Sequence, residues 1–128
     1  MQHAGDVGAI AAGRGALSSL RIEKGYRAWG ADMSREDTPF EAGLSFAAAK
    51  NGDHIGVAAA AQRPVRRRLR TLALEDAGTV PTAGQPVRHS GRTVGYVTSA
   101  EYGWSVGHPV AYAWLPPDLE AEIGRAHV

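Results

Sequence analysis

Regularly spaced turn signals divide the second half of the chain into short segments rich in β-branched and aromatic residues. The strand candidates are Arg68–Leu74, Pro86–His89, Arg92–Ala100 and Pro109–Leu115. Ser90 and Gly91 separate the second candidate from the third, which is the spacing of a two-residue β-hairpin. Short strands with glycine and proline turns are typical of antiparallel sheets. We therefore expect a small antiparallel β-barrel that lacks its closing strands.

The first part of the chain carries a helical pattern instead. Ala9–Lys24 can be helical, and the part from about Arg14 onward is favoured because glycines weaken its beginning. An apolar stripe is formed by Ala16, Leu17 and Leu20. Gly25 stands where a glycine commonly ends a helix. The residues that follow, Tyr26–Arg35, are predicted to be irregular.

Further signals lie between this helix and the strand candidates. Thr38 is a candidate helix N-cap, with Pro39 at the first helical position and Glu41 completing a capping box. Leu44–Ala49 is interpreted as a strand or as a junction between helix and strand. The alanine-rich Val57–Gln62 is predicted to be helical.

The dipeptide Arg63-Pro64 breaks the chain, and we place a domain boundary there. The prediction is an α+β protein with a first domain at residues 1–62 and the barrel domain at residues 63–121. Residues 122–128 read EIGRAHV, which is what a common sequencing adapter gives when translated in one frame. We expect these residues to be a non-native tail, with a natural terminal helix turn as the alternative.

Composition and charge exclude several classes of function. Of the 128 residues, 44% are hydrophobic and 21% charged, as in a globular protein. The chain has no cysteine, which excludes disulfides and thiolate chemistry, and no apolar run near the ~20 residues of a membrane span. Its histidines lack metal-ligand spacing, and its net charge of +1 gives no argument for nucleic acid. We expect a cytoplasmic protein without a metal, a membrane partner or a nucleic-acid partner.

Glu23 is the first candidate for a binding residue. On a helix it lies on the same face as Ala16 and Leu20, where a desolvated carboxylate costs several kcal/mol unless it finds donors. Arg21 could supply those donors, and so could a ligand. An ordinary solvated glutamate is the third reading.

Tyr26 and Trp29 follow Glu23 in the segment predicted to be irregular. Their rings could stack on a planar ligand, or they could anchor the loop in the core. Arg27 and Asp32 lie in the same segment, and we interpret them as a local ion pair.

Four arginines stand close together at the entry to the first strand candidate. They are Arg66, Arg67, Arg68 and Arg70. Such a run can bind phosphate, but no interleaved aromatic platform accompanies it. Solvation, pairing with the first domain and contact with an anionic ligand therefore stay open.

The order and spacing of several motifs resemble one known family. Residues 21–33 read R-I-E-K-G-Y-R-A-W-G-A-D-M, and residues 38–44 read T-P-F-E-A-G-L. Further matches are D-H-I-G at 53–56, R-R-R-L at 66–69, V-G-Y-V-T-S at 94–99 and V-A-Y-A-W-L-P at 110–116. Together they resemble the tetrahydrofolate-binding aminomethyltransferase superfamily, that is, the glycine-cleavage T-protein and the folate domains of dimethylglycine and sarcosine dehydrogenases. The sequence of the first motif is more similar to that of the dehydrogenases than to that of the T-protein.

The resemblance covers roughly residues 13–119 and implies a fragment. This fragment would be the end of a folate-binding domain followed by an incomplete barrel, with FAD belonging to a missing upstream domain. The intact parent would transfer a one-carbon unit from a small N-methylated amino acid to tetrahydrofolate. The family's catalytic aspartate lies upstream of this chain, so the fragment alone is expected to be inactive. The alternatives are the glycine-cleavage T-protein itself and a non-catalytic folate-binding or structural module.

The resemblance also implies which residues contact folate. Glu23 would accept two hydrogen bonds from the pterin, as a carboxylate does from arginine. Tyr26 and Trp29 would wall the ring, while Arg67 and Arg68 would lie near the glutamate end of the folate.

At two positions this chain differs from members of the superfamily, and each difference limits what the resemblance implies. Val57 stands where the family often has arginine or lysine, so one of its anion contacts is not expected here. Related iron–sulfur assembly proteins carry a cysteine after Lys24-Gly25, and this chain has Tyr26 at that position. That branch of the superfamily is therefore disfavoured.

Overall fold

The computed structural model describes residues 7–48 and 55–119. In chain order the elements are helix α1 (Arg14–Glu23), a 3₁₀ turn (Ser45–Ala47), helix α2 (Val57–Gln62), and strands β1 (Arg68–Ala73), β2 (Pro86–His89), β3 (Arg92–Gly103) and β4 (His108–Leu115). The predicted strands are confirmed, with β3 three residues longer than expected. Helix α1 begins at Arg14, as predicted from the weakening effect of Gly13 and Gly15.

The four strands form one antiparallel sheet in the order β1-β4-β3-β2. Ser90 and Gly91 both have positive φ, 50° and 78°, as the predicted tight hairpin between β2 and β3 requires. Among the described residues β1 and β2 are the two sheet edges, so the sheet is open and consistent with an incomplete barrel.

Strand β4 is buried on both faces from Pro109 to Leu115. Because side chains alternate along a strand, it contributes to two separate cores. One core contains Leu72, Leu74, Val87, Val97, Ala111, Ala113 and Leu115. The other contains Ile22, Ala42, Leu69, Val110, Tyr112 and Trp114. The second core joins the sheet to α1 and to the segment after it.

Close approach between strands explains Gly95 in the middle of β3. A Cβ atom at this position would lie 1.9 Å from the carbonyl oxygen of Trp114. Any larger residue would therefore force β3 and β4 apart.

The buried face of α1 differs from the predicted apolar stripe. Leu17 is 66% exposed and Leu20 is 62% exposed, whereas Ser19 and Ile22 are buried. Ile22 packs into the second core, and the Ser19 hydroxyl donates a hydrogen bond to the Tyr102 carbonyl of β3 at 2.7 Å. The helix is thus oriented by one apolar and one polar contact rather than by its leucines.

The helix predicted to start at Thr38 does not form, although its capping box does. The Thr38 N–H donates to the Glu41 carboxylate at 2.9 Å, and the Glu41 N–H donates to the Thr38 hydroxyl at 3.1 Å. Gly43, with φ of +71°, then ends the structure after a single turn. A 3₁₀ turn follows where a strand or junction was expected. The end of that predicted strand, Ala49, and the turn signal at Asn51-Gly52 lie outside the described residues.

Candidate functional site

Helix α1 ends at Glu23 in a glycine-terminated Schellman motif. The Tyr26 N–H donates to the Arg21 carbonyl at 2.8 Å and the Gly25 N–H to the Ile22 carbonyl at 3.1 Å, with Gly25 at φ +81°. The buried Tyr112 hydroxyl lies 3.0 Å from the Ile22 carbonyl and donates to it. These contacts hold the last turn of the helix against β4.

The Glu23 carboxylate faces the loop between β3 and β4. Its Oε1 accepts a hydrogen bond from the Ser105 N–H at 3.1 Å. Hydrogen bonds from the Ser105 side chain and then from its backbone lower the pKa of Glu23 below its ordinary value, so the carboxylate is ionised at neutral pH. Arg21 is not the partner of Glu23.

Three aromatic side chains in this region are exposed. Tyr26 is 64% exposed and Trp29 is 68% exposed, so they do not anchor the loop in the core. Trp104, next to Ser105, is 80% exposed and meets Tyr102 edge to face at 4.9 Å between ring centroids. These surfaces are accessible to a planar ligand.

Asp32 does not pair with Arg27, which corrects the predicted ion pair. Its carboxylate is buried and forms an ion pair with Arg21 at 2.7 Å. It also accepts hydrogen bonds from the Thr98 hydroxyl at 2.8 Å, the Ser99 hydroxyl at 2.6 Å and the Ala28 N–H at 2.7 Å. We call these five residues the Asp32 cluster.

The environment of Asp32 keeps it ionised. Burial raises the pKa of this carboxyl, but hydrogen bonds from Ser99, Ala28, Thr98 and Arg21 together outweigh it, and the net pKa is lowered. Trp114 Nε1 donates to the Asp32 carbonyl at 3.0 Å. The segment after α1 is therefore fixed to both β3 and β4 through this one residue.

The arginine run pairs with the preceding segment. Arg67 donates to the Asp37 carboxylate at 2.7 Å and lies over the Trp114 ring at 4.4 Å from its centroid. Burial lowers the pKa of Arg67, but the Asp37 hydrogen bond and charge outweigh this and raise it overall. Arg68 is half-buried at the start of β1, opposite Leu115.

Glu41 is a second buried carboxylate with several donors. It accepts from the Thr38 N–H and hydroxyl and from the Arg66 N–H at 3.0 Å. Burial alone would raise the pKa of Glu41, but these hydrogen bonds and the Arg66 charge lower it from 4.5 to about 2. Arg66 and Arg67 thus serve as links between the first half of the chain and β1.

Of the residues predicted to bind folate, Glu23, Tyr26 and Trp29 lie at or just after the end of α1. Arg67 and Arg68 lie at the start of β1. Sequence reasoning missed the Asp32 cluster and the contact between Glu23 and Ser105. Their sequence separations of 66, 67 and 82 residues leave no local spacing that could reveal them.

No helix in residues 7–48 or 55–119 is long and apolar enough to cross a bilayer. Within those ranges, no group of three or more acidic or histidine side chains could hold a metal ion.

Comparison with known proteins identifies the family of this chain. Residues 67–128 match the glycine cleavage T-protein C-terminal barrel domain, and residues 1–52 match the GCVT N-terminal domain. The chain belongs to this aminomethyltransferase superfamily, whose domain is shared by the glycine-cleavage T-protein and the dimethylglycine and sarcosine dehydrogenases. The resemblance seen in the motifs is confirmed.

The similar proteins include both dehydrogenases and aminomethyltransferases. Human mitochondrial dimethylglycine dehydrogenase is 35% identical over 86% of this chain and 13% of its own length. Human mitochondrial sarcosine dehydrogenase is 38% identical over 84% of the chain and 12% of its own length. The aminomethyltransferase of Rubrobacter xylanophilus is 35% identical over 90% of the chain and 32% of its own length.

A solved structure has the same fold. The glycine cleavage system aminomethyltransferase T from Bartonella henselae has a TM-score of 0.77 and 29% sequence identity, over 88% of this chain and 33% of that protein. The chain therefore spans about a third of an aminomethyltransferase and about an eighth of the dehydrogenases. These similar identities do not separate the two branches.

Proposed function

We propose that this chain is the tetrahydrofolate-binding part of an aminomethyltransferase-type domain, with Glu23 as the acceptor for the pterin. The observation that carries the proposal is the ionised Glu23 carboxylate at the end of α1, held by Ser105 beside the exposed Trp104. A pterin presents a ring N–H and an exocyclic amine side by side, and a carboxylate accepts such a fork well. When bound, tetrahydrofolate supplies the nitrogen that accepts the one-carbon unit.

The neighbouring residues fit this role. The rings of Tyr26 and Trp29 are exposed and follow Glu23 directly, so they can cover a flat ligand and exclude water from it. Arg67 is already neutralised by Asp37, so we assign most of the attraction for the anionic end of the folate to Arg68.

We assign the parent protein to the dimethylglycine and sarcosine dehydrogenases because of the sequence of residues 21–33. In such a protein an FAD-containing domain would oxidise the N-methylated amino acid, and this domain would receive the one-carbon unit. A T-protein of glycine cleavage is the alternative, as is a folate-binding module without activity of its own.

Substitution of Glu23 tests the proposal directly. Glu23→Gln keeps the size but places a donor against a donor of the ligand, so we expect tetrahydrofolate to bind roughly 30-fold or more weakly. Glu36→Gln makes the same chemical change at an exposed position and should leave the affinity within about twofold. The measurement is isothermal titration of tetrahydrofolate into the wild-type chain and both variants. Absence of saturable binding to wild type, or equal affinities for wild type and Glu23→Gln, would overturn the proposal.

A further inference from the structure

We propose that a cavity at the end of α1 binds a small carboxylate that carries an aromatic or apolar body. The cavity has a volume of about 430 Å³, within the range of about 300–1,000 Å³ that is usual for small-molecule sites. Its lining side chains are Lys24, Tyr26, Arg27, Met33, Leu44 and Phe46. We call it the Arg27 cavity.

The guanidinium of Arg27 calls for an acceptor. Its Nε is buried and has no hydrogen-bond partner among the described residues. One terminal nitrogen donates to the Gly25 carbonyl, and none of the ion pairs within residues 7–48 and 55–119 includes Arg27. A buried donor without an acceptor is unfavourable. No carboxylate in these ranges balances the guanidinium charge, and an anionic ligand in the cavity would do so.

The rest of the lining determines what kind of anion fits. Lys24 adds a second positive charge at the same cavity, which favours a carboxylate. Met33 and Leu44 are partly buried against the second core, while Tyr26 and Phe46 are exposed. These apolar and aromatic walls favour a ligand with an organic body over a bare inorganic ion.

The position of Arg27 is fixed before any ligand arrives. Its guanidinium carbon lies 5.5 Å from the centroid of the buried Tyr112 ring. Its Nη2 passes so close to Gly43 that a Cβ there would lie 2.9 Å away. A preorganised cation binds an anion with less loss of conformational entropy than a free one.

The Arg27 cavity does not depend on Glu23, although Tyr26 takes part in both proposals. Glu23 is not among its lining residues, and the Glu23 carboxylate is directed toward Ser105 instead. Asp32, the acid nearest in sequence after Arg27, is saturated by its own cluster.

Benzoate and benzamide provide a matched pair of probes, because they share a ring and differ in charge. We expect benzoate to saturate the 128-residue chain with a Kd on the order of a millimolar and benzamide to bind at least tenfold more weakly. In NMR spectra benzoate should shift the Arg27 Nε–H resonance. In samples too dilute for NMR, tyrosine and tryptophan fluorescence makes the same comparison.

Two charge-reversing variants locate the site. Lys24→Glu, at an exposed residue of the lining, should weaken benzoate binding at least fivefold. Arg92→Glu, the same kind of change at an exposed residue of β3, should change it less than twofold. No saturable benzoate binding, equal binding of benzoate and benzamide, or equal effects of the two variants would each overturn the proposal.

Discussion

The sheet and the segment after α1 are stabilised by different kinds of interaction. Strand β4 is buried on both faces among apolar side chains, and its backbone groups pair with β1 and β3. Residues 26–44, which we call the connecting segment, contain no helix or regular strand. They are fixed by the buried carboxylates Asp32 and Glu41, together with the packing of Ala42 in the second core.

The difference follows from what irregular backbone requires. Backbone groups inside a protein need partners, and a sheet supplies them from its own ladder. The connecting segment obtains several from side chains: Asp32 accepts from the Ala28 N–H and Glu41 from the N–H groups of Thr38 and Arg66. Its order therefore depends on ionised groups as well as on apolar packing, whereas the order of the sheet depends on apolar burial and its own backbone hydrogen bonds.

The largest effect is expected when the Asp32 charge is removed. Asp32→Asn leaves Arg21 without its counter-ion and turns an amide N–H toward two of the cluster's donors. We expect a loss of about 3–5 kcal/mol in the free energy of unfolding, as for other buried pairs that lose one partner. Urea unfolding followed by circular dichroism measures the change.

Asp118 offers the matched control, since it is exposed near the end of the described chain. Asp118→Asn should alter stability by less than about 0.5 kcal/mol. A loss below about 1 kcal/mol for Asp32→Asn would show that apolar packing alone holds the connecting segment.

Acid should weaken the connecting segment through Glu41. Its pKa in the folded protein is about 2 against an ordinary 4.5, so its contribution is complete above about pH 4.5 and is lost as the pH falls toward 2. Glu41→Gln should cost about 1–3 kcal/mol at pH 7 and should remove this part of the pH dependence. Unfolding free energies at pH 7, 4 and 3 give the comparison.

The control is Glu36→Gln, whose curve should run parallel to that of wild type. If Glu41→Gln retains the full acid sensitivity, the loss of stability in acid has another origin.

The smallest expected losses of stability come from two glycine substitutions. Their comparison separates the cost of backbone strain from the cost of a contact with Arg27. Gly30 and Gly43 both have positive φ, 86° and 71°. A Cβ at Gly30 meets open space, whereas one at Gly43 lies 2.9 Å from Arg27 Nη2. Gly30→Ala should cost about 1 kcal/mol from φ strain, and Gly43→Ala about 1 kcal/mol more because Arg27 must move. Equal losses in thermal or urea unfolding would mean that Arg27 is not held at Gly43.

The same division explains what the sequence could predict. Strand limits follow from local alternation and from turns such as Ser90-Gly91, so they were predicted within a few residues. The start of α1 was predicted from Gly13 and Gly15, which disfavour a helix before Arg14. The capping box at Thr38 was predicted as well, although Gly43 stops the helix that it normally begins.

The missed features are those that depend on distant partners. Leu17 and Leu20 have helical spacing, but the sheet accepts Ile22 and Ser19 instead. The partner of Asp32 could not be chosen from sequence because Arg21 and Arg27 are both near it along the chain. The folate contacts assigned to Glu23, Tyr26, Trp29, Arg67 and Arg68 stay predictions.

The position of the Asp32 cluster along the chain has a consequence for folding during synthesis. The donors Thr98 and Ser99 leave the ribosome 66 and 67 residues after Asp32, and β4 follows still later. Until then α1 and the connecting segment lack their contacts with β3 and β4, and Asp32 lacks the hydrogen bonds from Thr98 and Ser99. Long sequence separation between contacting residues slows folding. We therefore expect α1 and the connecting segment to complete their contacts with β3 and β4 only in a late folding step, after β4 has been synthesised.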